Sequence, residues 1–188
     1  LPKLKKCFNK KVMANISGIS VDDYVYTSST LDKCEEVGWL EINVSCPNVH
    51  GGGMSFGTDV KNVYEVTKAV KSVTTKPVIL KLSPNVTDIT EIAKAAEAGG
   101  ADGVSLINTL LGMKIDINTR RPILANNMGG LSGPAVKPVA VRMVHQVYNS
   151  VKIPIIGMGG VASGADVIEF MLAGAKLVAL GTALFAKP

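Results

Sequence analysis

The sequence is poor in the residue types on which metal sites and disulfide frameworks depend. Its 188 residues include three cysteines, two histidines and three arginines, and aromatic residues make up 5% of the chain. Cys7, Cys34 and Cys46 form no C-x-x-C pair, which excludes the usual zinc and disulfide frameworks and suits a reducing cytosol. We therefore expect a cytoplasmic protein with no metal site.

Long apolar runs are also missing. No uninterrupted apolar stretch approaches the roughly 18 residues that a transmembrane helix needs, and the five lysines of the first eleven residues are followed by no signal-like hydrophobic segment. These lysines account for the whole formal net charge of +5, because basic and acidic residues balance after residue 11. With so few arginines, the excess is interpreted as a solvated basic terminus. We expect neither a membrane nor a nucleic acid as a partner.

Small and aliphatic residues are abundant instead, since 47% of the chain is hydrophobic and 19 residues are glycine. Apolar, strand-like segments alternate with helical patterns and lie at residues 12–16, 40–45, 76–82, 103–107, 153–158 and 176–180. Nearly continuous apolar strands are typical of buried parallel sheets that are covered by helices. The candidates are an open doubly wound sheet and a (β/α)8 TIM barrel. The tight repetition and the glycines after the last two strands favour the barrel.

A complete barrel has eight strands and about 250 residues. This α/β chain shows about six strands and no helix pattern after the last one. We therefore expect residues 1–188 to form one (β/α) barrel domain that is incomplete and truncated at both ends. Residues 110–134 have no helical period and are expected to be a long functional loop.

Polar residues stand at the ends of successive predicted strands. They are Asn15, Asn43 with Cys46 and Asn48, Lys81, and Asn108 with Thr109. In a parallel barrel these strand ends share one face, where the active site is built. Such a set of amides suits a planar ligand that is rich in carbonyl and N–H groups.

Lys81 interrupts an apolar strand and allows three interpretations. It is an outward-facing side chain, an ammonium inside the barrel that stabilises an anion, or a Schiff-base amine. Gly159-Gly160 and Gly181-Thr182 end the last two strands, a common position for backbone N–H groups that hold a phosphate. The glycines therefore suggest a phosphorylated cofactor or substrate.

Six motifs together resemble those of the dihydroorotate dehydrogenase family. They are EINVSCPN (41–48), KLSPN (81–85), INT (107–109), GGLSGP (129–134), GMGG (157–160) and GT (181–182). The resemblance implies an FMN-containing (β/α)8 barrel that oxidises dihydroorotate to orotate in pyrimidine synthesis. In that barrel this chain would begin near the third strand and end after the eighth.

The resemblance also indicates a subclass. Cysteine at position 46 is similar to the class 1 enzymes, since the membrane-associated class 2 enzymes carry serine there, and the glycine-rich segment 51–58 is most similar to class 1B. Class 1B implies NAD as the final acceptor, reached through a separate subunit that carries FAD and a [2Fe–2S] cluster. It also implies a homodimer or a heterotetramer with that subunit. Class 1A, which uses fumarate, and a related flavoprotein that oxidises dihydropyrimidines stay alternatives.

Carried over position by position, the resemblance assigns roles to single residues. Cys46 is expected to be the base that takes a proton from dihydroorotate while a hydride passes to the flavin. The expected substrate contacts are Asn43, Asn48, Asn108 and Thr109. The expected FMN contacts are Asn15, Asn43, Lys81, Ile107, Gly133, Gly159, Gly160, Gly181 and Thr182, of which the last four hold the phosphate. The loop 47–57 is expected to act as a lid that excludes water.

Two other functions stay open at this point. The first is a Schiff-base aldolase that uses Lys81 in a phosphate-binding barrel. The second is an inactive partial barrel, because the first two strands and the last helix of the family's barrel lie outside the sequence.

Overall fold

The computed structural model describes residues 2–45 and 56–186. Its helices are α1 (Pro2–Lys5), α2 (Val21–Asp32), α3 (Val60–Lys71), α4 (Ile89–Ala98), α5 (Lys137–Tyr148), α6 (Gly164–Leu172) and α7 (Ala183–Ala186), with 3₁₀ turns at Phe56–Thr58 and Pro134–Val136. Its strands are β1 (Val12–Ile16), β2 (Val37–Asn43), β3 (Val78–Lys81), β4 (Gly103–Leu106), β5 (Leu110–Met113), β6 (Ile115–Asp116), β7 (Arg121–Pro122), β8 (Met128–Leu131), β9 (Ile155–Met158) and β10 (Leu177–Ala179).

Six of these strands form one parallel sheet in the order β1-β2-β3-β4-β9-β10. Each strand therefore lies beside the next strand of the sheet along the chain, as in a barrel, and no strand is inserted between two earlier ones. An open doubly wound sheet would instead reverse its strand order at a switch point. The predicted α/β architecture of six parallel strands is confirmed.

One face of the sheet is packed against helices by apolar side chains. Leu40, Ile42 and Leu80 on β2 and β3 are fully buried, and the helices contribute Val63, Val66 and Ile92 among others to the same core. The alternate strand positions point to the opposite face, which is the interior side of a barrel. This division leaves the interior face available for a binding site.

Four of the helices that follow strands of the sheet, α2, α3, α4 and α6, begin with a polar N-cap residue. Ser20, Asp59, Asp88 and Ser163 each accept a hydrogen bond from a backbone N–H in the first turn of α2, α3, α4 and α6 respectively. A cap of this kind stabilises a helix by about 1 kcal/mol. The parallel pairing of the strands places their carboxyl ends together at one edge of the sheet, from which these helices follow.

Two predictions about the connections are wrong. Residues 110–134, which were expected to be a loop, contain two antiparallel pairs, β5 with β8 and β6 with β7. These strands are two to four residues long, and the outer pair joins residues far apart in sequence, so no local period reveals them. A short helix, α7, also follows the last strand, where the sequence predicts none.

Candidate active site at the carboxyl ends of the strands

A row of polar side chains crosses the interior face of β1 to β4. In the parallel register Asn15 lies beside Glu41, Asn43 beside Lys81, and Lys81 beside Ser105. Register partners point to the same face, and so do Glu41 and Asn43, because they are two residues apart on one strand. The register thus brings together residues that are up to 90 positions apart in sequence.

Glu41 is the centre of this row. Its Oε2 accepts a hydrogen bond of 2.6 Å from Asn15 Nδ2, and its Oε1 accepts one of 2.7 Å from the fully buried Ser105 hydroxyl. The Lys81 ammonium lies 3.9 Å from Oε2. Glu41 is not among the predicted site residues, although an acidic residue two positions before Asn43 in an apolar strand is a usable signal.

Lys81 faces the interior of the sheet, so the outward-facing interpretation of this residue is wrong. Its side chain is 21% exposed and lines a cavity together with Glu41. The described part of the chain therefore places a cation and a carboxylate side by side at the carboxyl end of the sheet.

Asn43 connects β2 to the segment that follows β4. Its Oδ1 accepts hydrogen bonds of 3.0 Å from Asn108 Nδ2 and 3.2 Å from the Ser45 backbone N–H. Asn108 Oδ1 in turn accepts from the Thr109 N–H at 2.8 Å, and the Tyr24 hydroxyl of α2 donates to the Asn43 carbonyl at 2.9 Å. Three predicted substrate contacts, Asn43, Asn108 and Thr109, are thus joined in one network.

A cavity of about 1000 Å³ lies over this end of the sheet. The predicted site residues among its lining are Lys81, Ile107, Thr109, Gly133, Gly159, Gly160, Gly181 and Thr182. Asn15 is not part of the lining, but it donates to Glu41, which is. Asn108 is hydrogen-bonded both to Asn43 and to the N–H of Thr109, which belongs to the lining. Asn43 and Asn108 therefore lie next to the cavity wall. The volume of the cavity lies at the upper end of the range of about 300–1000 Å³ that is usual for small-molecule sites.

Two of the predicted site residues cannot be placed. Cys46 and Asn48 lie outside the described residues, and so does most of the predicted lid 47–57. Their roles stay predictions.

The glycines on the far side of the cavity form a tight backbone turn. Gly133, Gly159 and Gly160 have φ values of 92°, 121° and 76°, which favour glycine. A Cβ added to Gly160 would lie 2.7 Å from the Gly133 carbonyl oxygen and 3.0 Å from the Lys137 backbone nitrogen. At Gly181, in contrast, a Cβ would meet no atom within 4 Å. Gly181 is therefore not required by the packing, although it lines the cavity.

An ion-pair cluster between α5 and α6 lies next to the glycine turn. Lys137 Nζ, at the start of α5, lies 2.6 Å from both Asp166 Oδ1 and Glu169 Oε2 of α6. Donation from Lys137 is the largest cause that holds the pKa of Asp166 well below its usual range, and the Ala162 N–H and the Ser163 hydroxyl lower it further. The same two carboxylates raise the pKa of Lys137.

The described residues contain neither a candidate metal cluster nor a helix that could span a membrane. Within residues 2–45 and 56–186, no group of three or more His, Cys, Asp or Glu side chains could hold a metal ion. None of the helices described in these two ranges has the length and apolar character needed to cross a bilayer.

The sheet order defines an incomplete (β/α) barrel, and its cavity lies at the carboxyl ends of the strands. Solved structures share this fold. FabK from Thermotoga maritima aligns with 98% of this chain and 45% of its own, at a TM-score of 0.59 and 21% identity. Its M276A mutant aligns with 98% and 48%, at a TM-score of 0.57 and 22% identity. At these identities the likeness shows the fold alone.

The family model for dihydroorotate dehydrogenase matches residues 1–188, and the chain belongs to this family. It is 60% identical over 188 residues to a protein of Alkaliphilus metalliredigens and 61% identical over 181 residues to one of Alkaliphilus oremlandii. A third relative, from Bacillus pumilus, is 56% identical over 188 residues. All three are named dihydroorotate dehydrogenase B (NAD(+)), catalytic subunit.

These alignments include 96–100% of this chain but only 60–62% of the length of each relative. It therefore spans about three fifths of the length of the curated relatives that it matches. Membership in the family favours a dehydrogenase over the Schiff-base aldolase that the sequence left open.

Proposed function

We propose that the protein containing this chain oxidises dihydroorotate to orotate in the synthesis of pyrimidine nucleotides. The observation that carries the proposal is that a chain of this family folds most of its predicted ligand contacts around one cavity. The cavity has a polar side that includes a lysine, a carboxylate and Thr109, with the amide network next to it, and a glycine side. A planar ring and a phosphate are the two chemical features that such a cavity suits.

The residues around the cavity fit FMN as the cofactor. Gly159 and Gly160 line the cavity and carry no side chain, so their backbone can approach a phosphate closely. Gly181 and Thr182 face the same space from the end of β10. Lys81 would lie by the pyrimidine end of the flavin, where a fixed cation stabilises negative charge. Bound FMN supplies the hydride acceptor of the reaction.

The amide network would orient the substrate. Asn43 and Asn108 hold each other through one hydrogen bond, and Asn108 also accepts from the Thr109 N–H. Amide and hydroxyl groups held in this way present donors and acceptors at set positions, which suits the carbonyl and N–H groups of a dihydropyrimidine ring. Asn48 would complete this set.

Cys46 is proposed as the base. As a thiolate it would take the proton from the carbon beside the substrate carbonyl. The loop 47–57 would exclude water from this step. Both parts of the proposal rest on the family motif, because Cys46 and most of this loop lie outside the described residues.

The names of the relatives favour class 1B. They carry the words NAD(+) and catalytic subunit, so we propose NAD as the final acceptor and a second subunit with FAD and a [2Fe–2S] cluster. A homodimer that binds this subunit as a heterotetramer, and the cytoplasmic location predicted from the sequence, belong to the same proposal. Class 1A would instead use fumarate, which a direct assay of both acceptors distinguishes.

The test uses the full-length gene product that contains this chain, loaded with FMN. Under anaerobic conditions dihydroorotate should bleach the flavin absorbance, and Cys46→Ala should slow the bleaching by about 10²–10⁴-fold while FMN stays bound. Cys7→Ala is the matched control, since the Cys7 side chain is exposed and its thiol donates only to carbonyls of its own segment. A flavin-loaded protein that dihydroorotate does not bleach would contradict the assignment.

A further inference from the structure

Glu41 is an unusual residue for the interior of a parallel sheet. The residue is 8% exposed, and its neighbours on β2, Leu40 and Ile42, are fully buried and apolar. A buried carboxylate is costly unless it is paired and hydrogen-bonded. An apolar residue of similar size would fill this position at lower cost, so packing alone does not account for Glu41.

Both oxygens of Glu41 are held. Oε2 accepts from Asn15 on β1 and Oε1 accepts from Ser105 on β4, at 2.6 and 2.7 Å. Each carboxyl oxygen accepts a hydrogen bond and neither donates one, which is the pattern of an ionised carboxylate. The negative charge is therefore fixed in place between the two strands that flank β2 and β3.

The ion pair with Lys81 is longer than the hydrogen-bonded lysine pairs of the described residues, although the exposed pairs Lys5–Glu35 and Lys61–Glu65 are as long, at 3.9 and 3.8 Å. Lys71, Lys94 and Lys137 approach their carboxylates to 2.6–2.8 Å, which are direct hydrogen bonds. Lys81 Nζ stays 3.9 Å from Glu41, beyond hydrogen-bond distance but close enough for strong attraction in a partly buried site. Lys81 is therefore attracted by the charge of Glu41 without a direct hydrogen bond to it, and its side chain lines the cavity.

Glu41 also determines the orientation of the Asn15 side-chain amide. Because its Nδ2 donates to the carboxylate, the opposite end of the amide, Oδ1, is the group presented away from Glu41. The carboxylate thus determines that Asn15 offers an acceptor, whereas Lys81 offers donors.

We propose that Glu41 is a positioning residue that sets the local charge and the polarity of the hydrogen-bonding groups at the pyrimidine end of the flavin site. This inference rests on the proposed function, because it takes FMN as the ligand of the cavity. Glu41 touches neither substrate nor cofactor in this proposal and acts through Lys81 and Asn15. With Glu41 in place, the pair Glu41–Lys81 is neutral overall. Without its charge, the cation of Lys81 is uncompensated.

The test is the midpoint potential of bound FMN in the full-length protein, measured with Glu41→Gln. Glutamine keeps the shape and an acceptor for Asn15 but removes the charge. The Lys81 ammonium, no longer attracted towards Glu41, should interact more strongly with the reduced, negatively charged flavin and favour it by about tenfold over the oxidised form, which raises the two-electron potential by about 30 mV. In the background of Lys81→Met, the same substitution should raise the potential by less than half as much.

Glu97→Gln is the matched control. Glu97 accepts hydrogen bonds from the Lys152 and Ile153 N–H groups, before β9 begins and at the opposite end of the sheet from the cavity. Its replacement also removes one negative charge but should leave the potential unchanged. If Glu41→Gln does not fold, Glu41→Asp serves, since it keeps the charge but withdraws it from Lys81. It should favour the reduced flavin by about threefold.

The outcomes separate the two proposals. A protein that binds FMN and is bleached by dihydroorotate, but whose potential is unchanged in the Glu41 variants, overturns the role of Glu41 alone. An equal shift with Glu97→Gln, or an undiminished shift in the Lys81→Met background, does so as well. A wild-type protein that binds no flavin overturns the proposed function and this inference with it.

Discussion

The two parts of the interior face, β1 to β4 and β9 with β10, differ in the chemical groups that they carry. The half formed by β1 to β4 carries polar side chains, among them Asn15, Glu41 and Lys81, which contact one another across strands. The half formed by β9 and β10 carries apolar side chains such as Ile156 and Leu177 and ends in glycines. One half can recognise a ligand through side chains and the other through its backbone.

This difference teaches how each half tolerates change. Polar side chains on the first half are interchangeable in part, because an isosteric residue keeps some of the hydrogen bonds. On the second half the φ value and the contact with the Gly133 carbonyl oxygen both exclude a Cβ at Gly160, and at Gly159 a φ of 121° and contacts of 3.1–3.2 Å make one unfavourable. We therefore expect single substitutions to have larger effects on the glycine half than on the polar half.

The largest effect is expected for Gly160→Ala. A Cβ there would lie 2.7 Å from the Gly133 carbonyl oxygen, at a φ of 76°. Strain and displacement of the turn should weaken FMN binding by roughly 100-fold, which a fluorescence titration of the apoprotein measures. Gly164→Ala is the control, because a Cβ at this exposed first residue of α6 meets no atom within 4 Å. Equal FMN affinity in both variants would show that the turn does not hold the cofactor.

A smaller effect is expected for Asn43→Ala on the polar half. The substitution removes the acceptor of the Asn108 and Ser45 donors and so loosens the network of predicted substrate contacts. The KM for dihydroorotate should rise roughly tenfold while FMN binding changes less. Asn118→Ala, in the exposed turn between β6 and β7, should change neither. Unaltered KM in Asn43→Ala would separate this network from substrate binding.

The smallest effect concerns the support of the glycine turn and depends on pH. The pKa of Asp166 is lowered in the folded state, mainly by Lys137, so Asp166 stabilises the fold above its unfolded pKa of about 3.9. This stabilisation is lost as the pH falls below that value towards the lowered folded pKa.

Lys137→Met should therefore reduce the acid sensitivity of folding. Urea unfolding at pH 6 and at about pH 3 should show a smaller loss of stability in this variant than in the wild type. Lys94→Met, which removes an exposed ion pair with Glu91, is the control. An identical pH dependence in the wild type and Lys137→Met would show that Asp166 owes its lowered pKa to other partners.

Much of the fold could be predicted because its elements have local signals. The six apolar segments became the six parallel strands, and acidic or hydroxyl caps such as Asp59 and Ser163 mark the starts of their helices. The pairing of β5 with β8 could not be predicted, since it joins residues such as Leu110 and Leu131 through backbone hydrogen bonds that leave no periodic trace. α7 is four residues long, too short to show a helical period.

The site was predicted in the same uneven way. Lys81, Thr109 and the paired glycines stood at strand ends, where a barrel places its ligand contacts, and the structure puts them around one cavity. Glu41 was missed because it lies at the start of the predicted strand 40–45, away from the carboxyl ends where a barrel places its ligand contacts. The orientation of Lys81 stayed open because β3 is buried and apolar around it, so its alternation shows no polar face.

By itself the sequence determined the family, the strand segments and the residue types available at their ends. Alternation along a strand also determined that Glu41 and Asn43 share a face, since the period of two is a local property of the backbone. Only the tertiary structure decided which residues of neighbouring strands lie side by side. The register of β1, β2 and β4 brings Asn15 and Ser105 to the two oxygens of Glu41, and this offset between strands is set by packing of the whole sheet.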